Sequence, residues 1–245
     1  MSTLNGKIAL VTGGSRGIGA AIVRRLSLDG ATVAFTYASS ADRARALEAE
    51  IEAAGGRALA ILADSADPAA VERSVATVAE RFGRLDILVN SAGILVHKPL
   101  EETVLEDFER IMAINVRAQF VAVQAALPHM GEGGRIVNIG SMVADRSGGP
   151  GSSLYAMSKA AVAGLTRGLA RDLGPRGITV NNVQPGPTET EIVSDEGVRA
   201  MLRSMIPIGR MGRDSEIASL VSYLAGPEAA FINGAALTVD GGFVA

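Results

Sequence analysis

Short apolar runs alternate with longer amphipathic stretches along almost the whole chain. Ile8–Val11 is a four-residue apolar run that ends in glycines, too short for a helix, and reads as a buried strand. Gly17–Leu28 reads as a helix closed by Gly30, and Thr32–Thr36 as a second strand. Asp42–Ala54 is an alanine-rich helix with Leu47 and Ile51 facing inward and Gly55-Gly56 after its end. Ala58–Leu62 is a third strand. Asp67-Pro68 then combines a helix cap with proline at the first helical position. That helix carries Val71, Val75, Val78 and Phe82 at helical spacing and stops at Gly83. Asp86–Val89 is a fourth strand. A long helical stretch, Leu105–Leu127, ends before Pro128. Arg135–Ile139, Ile178–Val183 and Ala236–Val239 read as strands. Leu154–Leu173 and Asp214–Leu224 read as the helices among them. Pro185–Arg213 has no clear period. Strands alternating with helices predict right-handed crossovers and a mostly parallel sheet covered on both faces, a doubly wound α/β fold.

Composition narrows the class. The chain has 245 residues, enough for one α/β domain spanning 1–245 with little room for a second. The net charge of -3 leaves no electrostatic footprint for nucleic acid. Without cysteine there is no disulfide, thiolate metal site or thiol nucleophile. His97 and His129 are the only histidines, too few for a histidine metal cluster, so no metal is expected. The N-terminus lacks the apolar core of a signal peptide, and no continuous apolar run approaches the roughly 18 residues of a bilayer span. A cytoplasmic protein with no membrane partner is expected.

Candidate chemistry enters at Tyr155 and Lys159. Four residues apart on a helix, they share one face. An ammonium beside a phenol favours phenolate and lowers a pKa that is ordinarily about 10. Tyr-x-x-x-Lys alone is also the pattern of a solvated helix face. Here the chain uses twenty arginines and three lysines, yet keeps lysine at this position. Lysine is a compact donor whose pKa moves readily, so arginine would not serve the same role.

The second candidate is Thr12-Gly13-Gly14-Ser15-Arg16-Gly17-Ile18-Gly19, between the first strand and the first helix. Glycines there let the backbone approach a pyrophosphate, and the helix N-terminus supplies amide donors. The spacing is Gly-x-x-x-Gly-x-Gly rather than the usual dinucleotide fingerprint. NAD binders place an acid after the second strand to hold the ribose 2′-hydroxyl. This chain reads Phe35-Thr36-Tyr37-Ala38-Ser39-Ser40, with no acid between Asp29 and Asp42. That permits NADP, with Arg16 pairing with the 2′-phosphate, Ser39 or Ser40 donating to it, and Arg43 a weaker candidate.

These residues, with Asn90-Ser91-Ala92-Gly93, Asn115, Ser141 and Pro185-Gly186, make the chain resemble the short-chain dehydrogenase/reductases over essentially its whole length. Within that family it is similar to the 3-oxoacyl-carrier-protein reductase branch. The resemblance implies a single-domain Rossmann-type sheet of seven strands in order 3-2-1-4-5-6-7. It implies Tyr155 as general acid in carbonyl reduction and Lys159 as the group that lowers the Tyr155 pKa and binds the nicotinamide ribose. Ser141 would hold the substrate oxygen, and Asn115 a water in a proton relay. The cofactor-binding set implied for NADP(H) is Gly13, Ser15, Arg16, Gly17, Ile18, Gly19, Ser39, Asp64, Asn90, Ala92, Gly93, Pro185, Gly186, Thr188 and Thr190, with Tyr155 and Lys159. Asp64 also fits a turn cap, Asn115 a satisfied buried amide, and Thr190 an ordinary loop hydroxyl. Family resemblance also implies a homotetramer.

Departures from the pattern carry information. The usual Asn-Asn-Ala-Gly has Ser91 at its second position. The segment Pro128–Arg135 is less basic than expected where an acidic carrier protein docks, although Arg176 could contribute. Substrate choice is expected in Leu95–Lys98, Met142–Ala144, Ser147–Ser152 and Glu191–Ile208. The last of these belongs to an amphipathic substrate lid over 187–210, in which Ile192, Val193, Met201, Leu202, Met205 and Ile206 mix with charges. A mainly apolar pocket suits a ketone or secondary alcohol with hydrophobic substituents. A second reading is a regulatory protein on the same fold. Val183–Thr188 and Tyr223–Glu228 look similar to a bacterial branch that binds cyclic dinucleotides.

Overall fold

A computed structural model describes residues 3–147, 149–191 and 195–245. The lid positions Ile192 and Val193, and Gly148 of the 147–152 segment, lie outside the described residues. Seven strands form one wholly parallel sheet: β1 (Ile8–Thr12), β2 (Thr32–Tyr37), β3 (Arg57–Leu62), β4 (Ile87–Asn90), β5 (Arg135–Ile139), β6 (Thr179–Pro185) and β7 (Ala236–Val239). Their order is β3-β2-β1-β4-β5-β6-β7. The order reverses between β1 and β4, whose Val11 pairs with Val89 and Thr12 with Asn90. A sheet of this kind binds ligands at that reversal, beyond the carboxyl ends of the strands.

Both faces are covered, as the largely apolar strands require. On one face α1 (Gly17–Leu28), α2 (Ala41–Ala53) and α8 (Asp214–Ala225) bury Ile22, Leu26, Leu47, Ile51, Ile217 and Val221 against Val11, Val33, Phe35 and Val89. On the other, α3 (Pro68–Phe82), α5 (Ala118–Ala126) and α6 (Ser153–Leu173) bury Val71, Val75, Val78, Ala122, Val123 and Leu173 against Leu10, Leu88, Ile136 and Val180. The Asp67 cap is present, its carboxylate accepting from the Ala69 N–H at 2.9 Å.

Three expectations change. The stretch expected as one helix over 105–127 is α4 (Leu105–Met112), a five-residue π turn (Ala113–Arg117) and α5. A π turn carries one extra residue per turn and re-aims the helix after it. Together with a short 3₁₀ turn, these pieces make a 25-residue helical stretch, Leu105–His129, long and apolar enough to cross a bilayer by length and composition, contrary to the expectation that none would be. It carries Asn115 and Gln119 buried, and its α5 packs against α3, so it is a core helix of this fold. Finally, the stretch without a clear period contains α7 (Glu196–Met205), capped by Asp195, whose carboxylate accepts from Val198 N–H at 2.8 Å.

Candidate active site

The glycine loop leaves no room for side chains. Gly13 and Gly17 have φ of 67° and 51°, in the left-handed region. A Cβ on Gly13 would lie 2.8 Å from Ala92 Cα, on Gly14 2.6 Å from Phe35 Cβ, and on Gly19 2.2 Å from the Gly13 carbonyl oxygen. The loop is tied down on both sides. Gly13 N–H donates to Thr36 Oγ1 at 2.9 Å, and Thr12 Oγ1 accepts from Ser91 N–H at 3.0 Å and Ala92 N–H at 3.1 Å. The Ser91 contact uses its backbone, so serine is tolerated there. At the start of α1 the cap position is Arg16, whose side chain makes no capping bond. The first amides of α1 therefore lack a side-chain cap beside a bare backbone turn, a cradle for phosphate.

Beyond β4 and β5 lies the catalytic candidate. One turn of α6 separates Tyr155 from Lys159, and the Lys159 Nζ lies 5.6 Å from the centre of the Tyr155 ring. Lys159 is buried and donates to the Ile139 carbonyl at 2.8 Å. Burial pulls its pKa down to about 8. Ser141 follows β5 and is buried near Tyr155. Burial pushes the Tyr155 pKa up, and the Ser141 hydroxyl, as a hydrogen-bonding group for the phenolate, opposes this. From the sequence, Lys159 is expected to lower that pKa. The net direction is upward because desolvation of the phenol outweighs the one opposing contribution, from Ser141. Tyr155 therefore holds its proton at neutral pH, the state a general acid needs.

Asn115 is the middle residue of the π turn and has no exposed surface. Its amide donates to the Ile94 carbonyl at 3.0 Å and Ser158 Oγ at 3.1 Å, and its oxygen accepts from Ile94 N–H at 2.9 Å. A Cβ on Gly93 would sit 3.5 Å from Asn115 Oδ1 and 3.6 Å from Lys159 Nζ, so the bare Gly93 lies between the two.

The remaining predicted residues are placed in different ways. Ser39 and Arg16 are exposed, and Ser15 is partly exposed in the loop. Ile18 packs against the core and can offer only backbone to a ligand. Asp64 accepts from Ala66 N–H at 2.9 Å, the turn-cap geometry. Asn90 points inward and donates to Asn138 Oδ1 at 2.9 Å, and Asn138 in turn donates to Thr166. Pro185 ends β6, and a Cβ on Gly186 would lie 2.5 Å from Asp240 Cβ. Thr188 is buried and donates to the Gly186 carbonyl at 2.9 Å. Thr190 lies over the loop, 3.6 Å from where a Gly17 Cβ would be. Two segments expected to choose substrate meet. Lys98 N–H donates to the Gly151 carbonyl at 3.0 Å, and the His97 ring approaches Gly151. One contact was not foreseen: Glu191 reaches across from beyond β6 to Arg43 of α2, at 2.6 and 2.7 Å.

A glycine cradle at the sheet's reversal, near the buried Lys159 and Ser141 and the partly buried Tyr155, fits a nicotinamide dinucleotide. A family model described as enoyl-(acyl carrier protein) reductase matches residues 13–244, and the chain belongs to the short-chain dehydrogenase/reductase family. A Burkholderia cenocepacia short chain dehydrogenase, solved in complex with NADP, is 56% identical; the match covers 99% of this chain and 100% of that one, with a TM-score of 0.97. The cyclic-di-GMP-binding biofilm dispersal mediator protein of Escherichia coli is 48% identical over 99% of both chains. A hydroxynaphthalene reductase of Aspergillus fumigatus is 41% identical over 94% of this chain and 90% of its own.

Proposed function

We propose that this protein is an NADP(H)-dependent reductase of ketones, reversible as a secondary-alcohol dehydrogenase. The observation that carries the reading is the buried Lys159 beside the Tyr155 ring, reached from the glycine cradle through Ala92, against which Gly13 packs, and Gly93, which lies next to Lys159 Nζ. Gly13, Ser15, Arg16 and Gly19 would hold the phosphates, with Ser39 at the 2′-phosphate. Ala92, Gly93, Pro185, Gly186, Thr188 and Thr190 would flank the rest. When bound, NADPH supplies the hydride that reaches the carbonyl carbon. This chain's residues handle the oxygen. Ser141 donates a hydrogen bond to it, and Tyr155 transfers its proton to it. Two donors aimed at the developing charge lower the barrier. Lys159 stabilises the phenolate left behind, and Asn115 with Gly93 lines the path by which a proton returns. The relative that reduces a hydroxynaphthalene supports an aryl-bearing substrate.

A homotetramer in the cytoplasm belongs to the same reading. Along α6, Met157, Ala160, Gly164 and Gly168 form an exposed stripe of small and apolar residues. Beside it, Met112, Val116, Phe120 and Leu165 line a depression of about 430 Å³. A second reading, cyclic-dinucleotide binding, is favoured by the 48% identical relative. The filled tetrad argues against a purely regulatory role.

The test is consumption of NADPH, then NADH, by purified protein with aryl ketones, 3-oxoesters and a 3-oxoacyl thioester. Turnover with NADPH well above NADH is expected. Tight NADPH binding without turnover of any ketone would shift the reading to a binding protein.

A further inference from the structure

The contact between Glu191 and Arg43 joins two parts of the molecule that the sequence keeps 148 residues apart. Arg43 stands in the first turn of α2, shortly after Ser39 and Ser40. The α2 cap position is Ser40, which makes no side-chain capping bond. Both Glu191 carboxylate oxygens lie within 2.7 Å of one Arg43 nitrogen. The Arg43 hydrogen bond holds the Glu191 carboxyl below its usual range, and the charge of Arg16 adds to this. Glu191 is thus paired with Arg43, which follows the end of β2, and feels the charge of Arg16 in the glycine loop. Its backbone approach is fixed. Thr190 lies over Gly17, the Thr190 carbonyl accepts from Arg199 at 3.2 Å, and Glu189 N–H donates to the Gly212 carbonyl at 2.8 Å.

A carboxylate paired with one guanidinium group and under the charge of a second, at an uncapped helix start, has the chemistry of a bound phosphate. We propose that Glu191 is a resident anion at the 2′-phosphate position, a specificity-determining residue that competes with NADP for Arg43 and Arg16. This rests on the cofactor reading above. The 2′-phosphate of NADP must displace Glu191 from Arg43, whereas NAD, with a neutral 2′-hydroxyl, leaves the pair intact. Glu191 therefore restrains a preference for NADP that the two arginines would otherwise make larger. The carboxylate absent from the end of β2 is replaced, in part, by one delivered from beyond β6.

Equilibrium titration of nicotinamide fluorescence tests this without turnover. The proteins are wild type, Glu191→Gln, Arg43→Gln and the double variant, each with NADPH and NADH. Both side chains are more than half exposed, so the variants should fold, and melting curves verify that. Glu191→Gln is expected to tighten NADPH about threefold to tenfold and to leave NADH within about twofold, the scale of one exposed charge pair. Arg43→Gln should weaken NADPH and remove most of the gain from Glu191→Gln. Equal tightening of both cofactors, or no change in either, would overturn the proposal while leaving the cofactor reading intact. A gain that survives unchanged in the double variant would also overturn it. Failure of wild type to bind NADPH at all would instead sink the cofactor reading, and the proposal with it.

Discussion

Lys159 is the residue whose environment has the widest consequences. Its buried ammonium loses its proton near pH 8 rather than near 10.5. Ketone reduction should fall as pH rises through about 8, because the neutral amine no longer stabilises the phenolate; kcat/KM against pH checks this. Stability should move the other way. Between about 8 and 10.5 the unfolded chain holds a proton on this lysine that the folded chain has lost, so this lysine's contribution to stability rises with pH. Melting curves across that window, compared with Lys159→Met, would isolate the contribution. Tyr155→Phe should lower turnover by about 10²- to 10⁴-fold while NADPH binding stays within a few-fold. Tyr155-x-x-x-Lys159 and the glycine loop stood out in the sequence because each is a contiguous pattern, whereas Asn115 and Ser141 are isolated residues that only the family resemblance singled out. The Tyr155 pKa direction was not legible, since burial depends on what packs above the ring.

The glycine loop and the π turn show what elements add. Gly19 is the second residue of α1 beyond Gly17, where alanine would suit a helix. A Cβ there would nonetheless collide with the Gly13 carbonyl. Gly19→Ala should cost about 1–3 kcal/mol in denaturant unfolding and weaken NADPH binding more than substrate binding. Most helix and strand centres could be read from apolar spacing, and the Asp67-Pro68 start was read to the residue. The π turn could not, because the α5 segment after it is apolar on several sides, so one extra residue leaves no visible break in the pattern. Helix α7 was obscured for another reason. Its apolar Val198, Met201, Leu202 and Met205 fall at helical spacing, but the sequence reads them as part of an irregular lid rather than as a bounded helix. In β4 every residue is buried, and no alternation told which way Asn90 points. Glu191 carried no local signal, since its partner lies 148 residues away.

At the scale of the whole molecule, the exposed α6 stripe bears on assembly. Gly168 has open space where a side chain would go. In an isolated subunit Gly168→Glu should be neutral or gain a few tenths of a kcal/mol from helix propensity. In a tetramer packed through α6 it should split the assembly, and light scattering of the two proteins decides. The placement of α8 has a consequence for how the chain is made. Helix α1, which opens at the phosphate cradle, is covered by α8: Ile22 and Leu26 share a core with Ile217 and Val221, and Arg25 donates to Ser219 Oγ at 2.7 Å. The helix at the cradle is thus sealed by one synthesised much later. A nascent chain lacking residues 214–225 exposes that apolar face, and such closure across the full length makes folding slow and late. A chain ending at Arg213 should therefore aggregate rather than survive as a smaller cofactor-binding unit, as its partition between supernatant and pellet would show. On the ribosome, the cradle waits for α8.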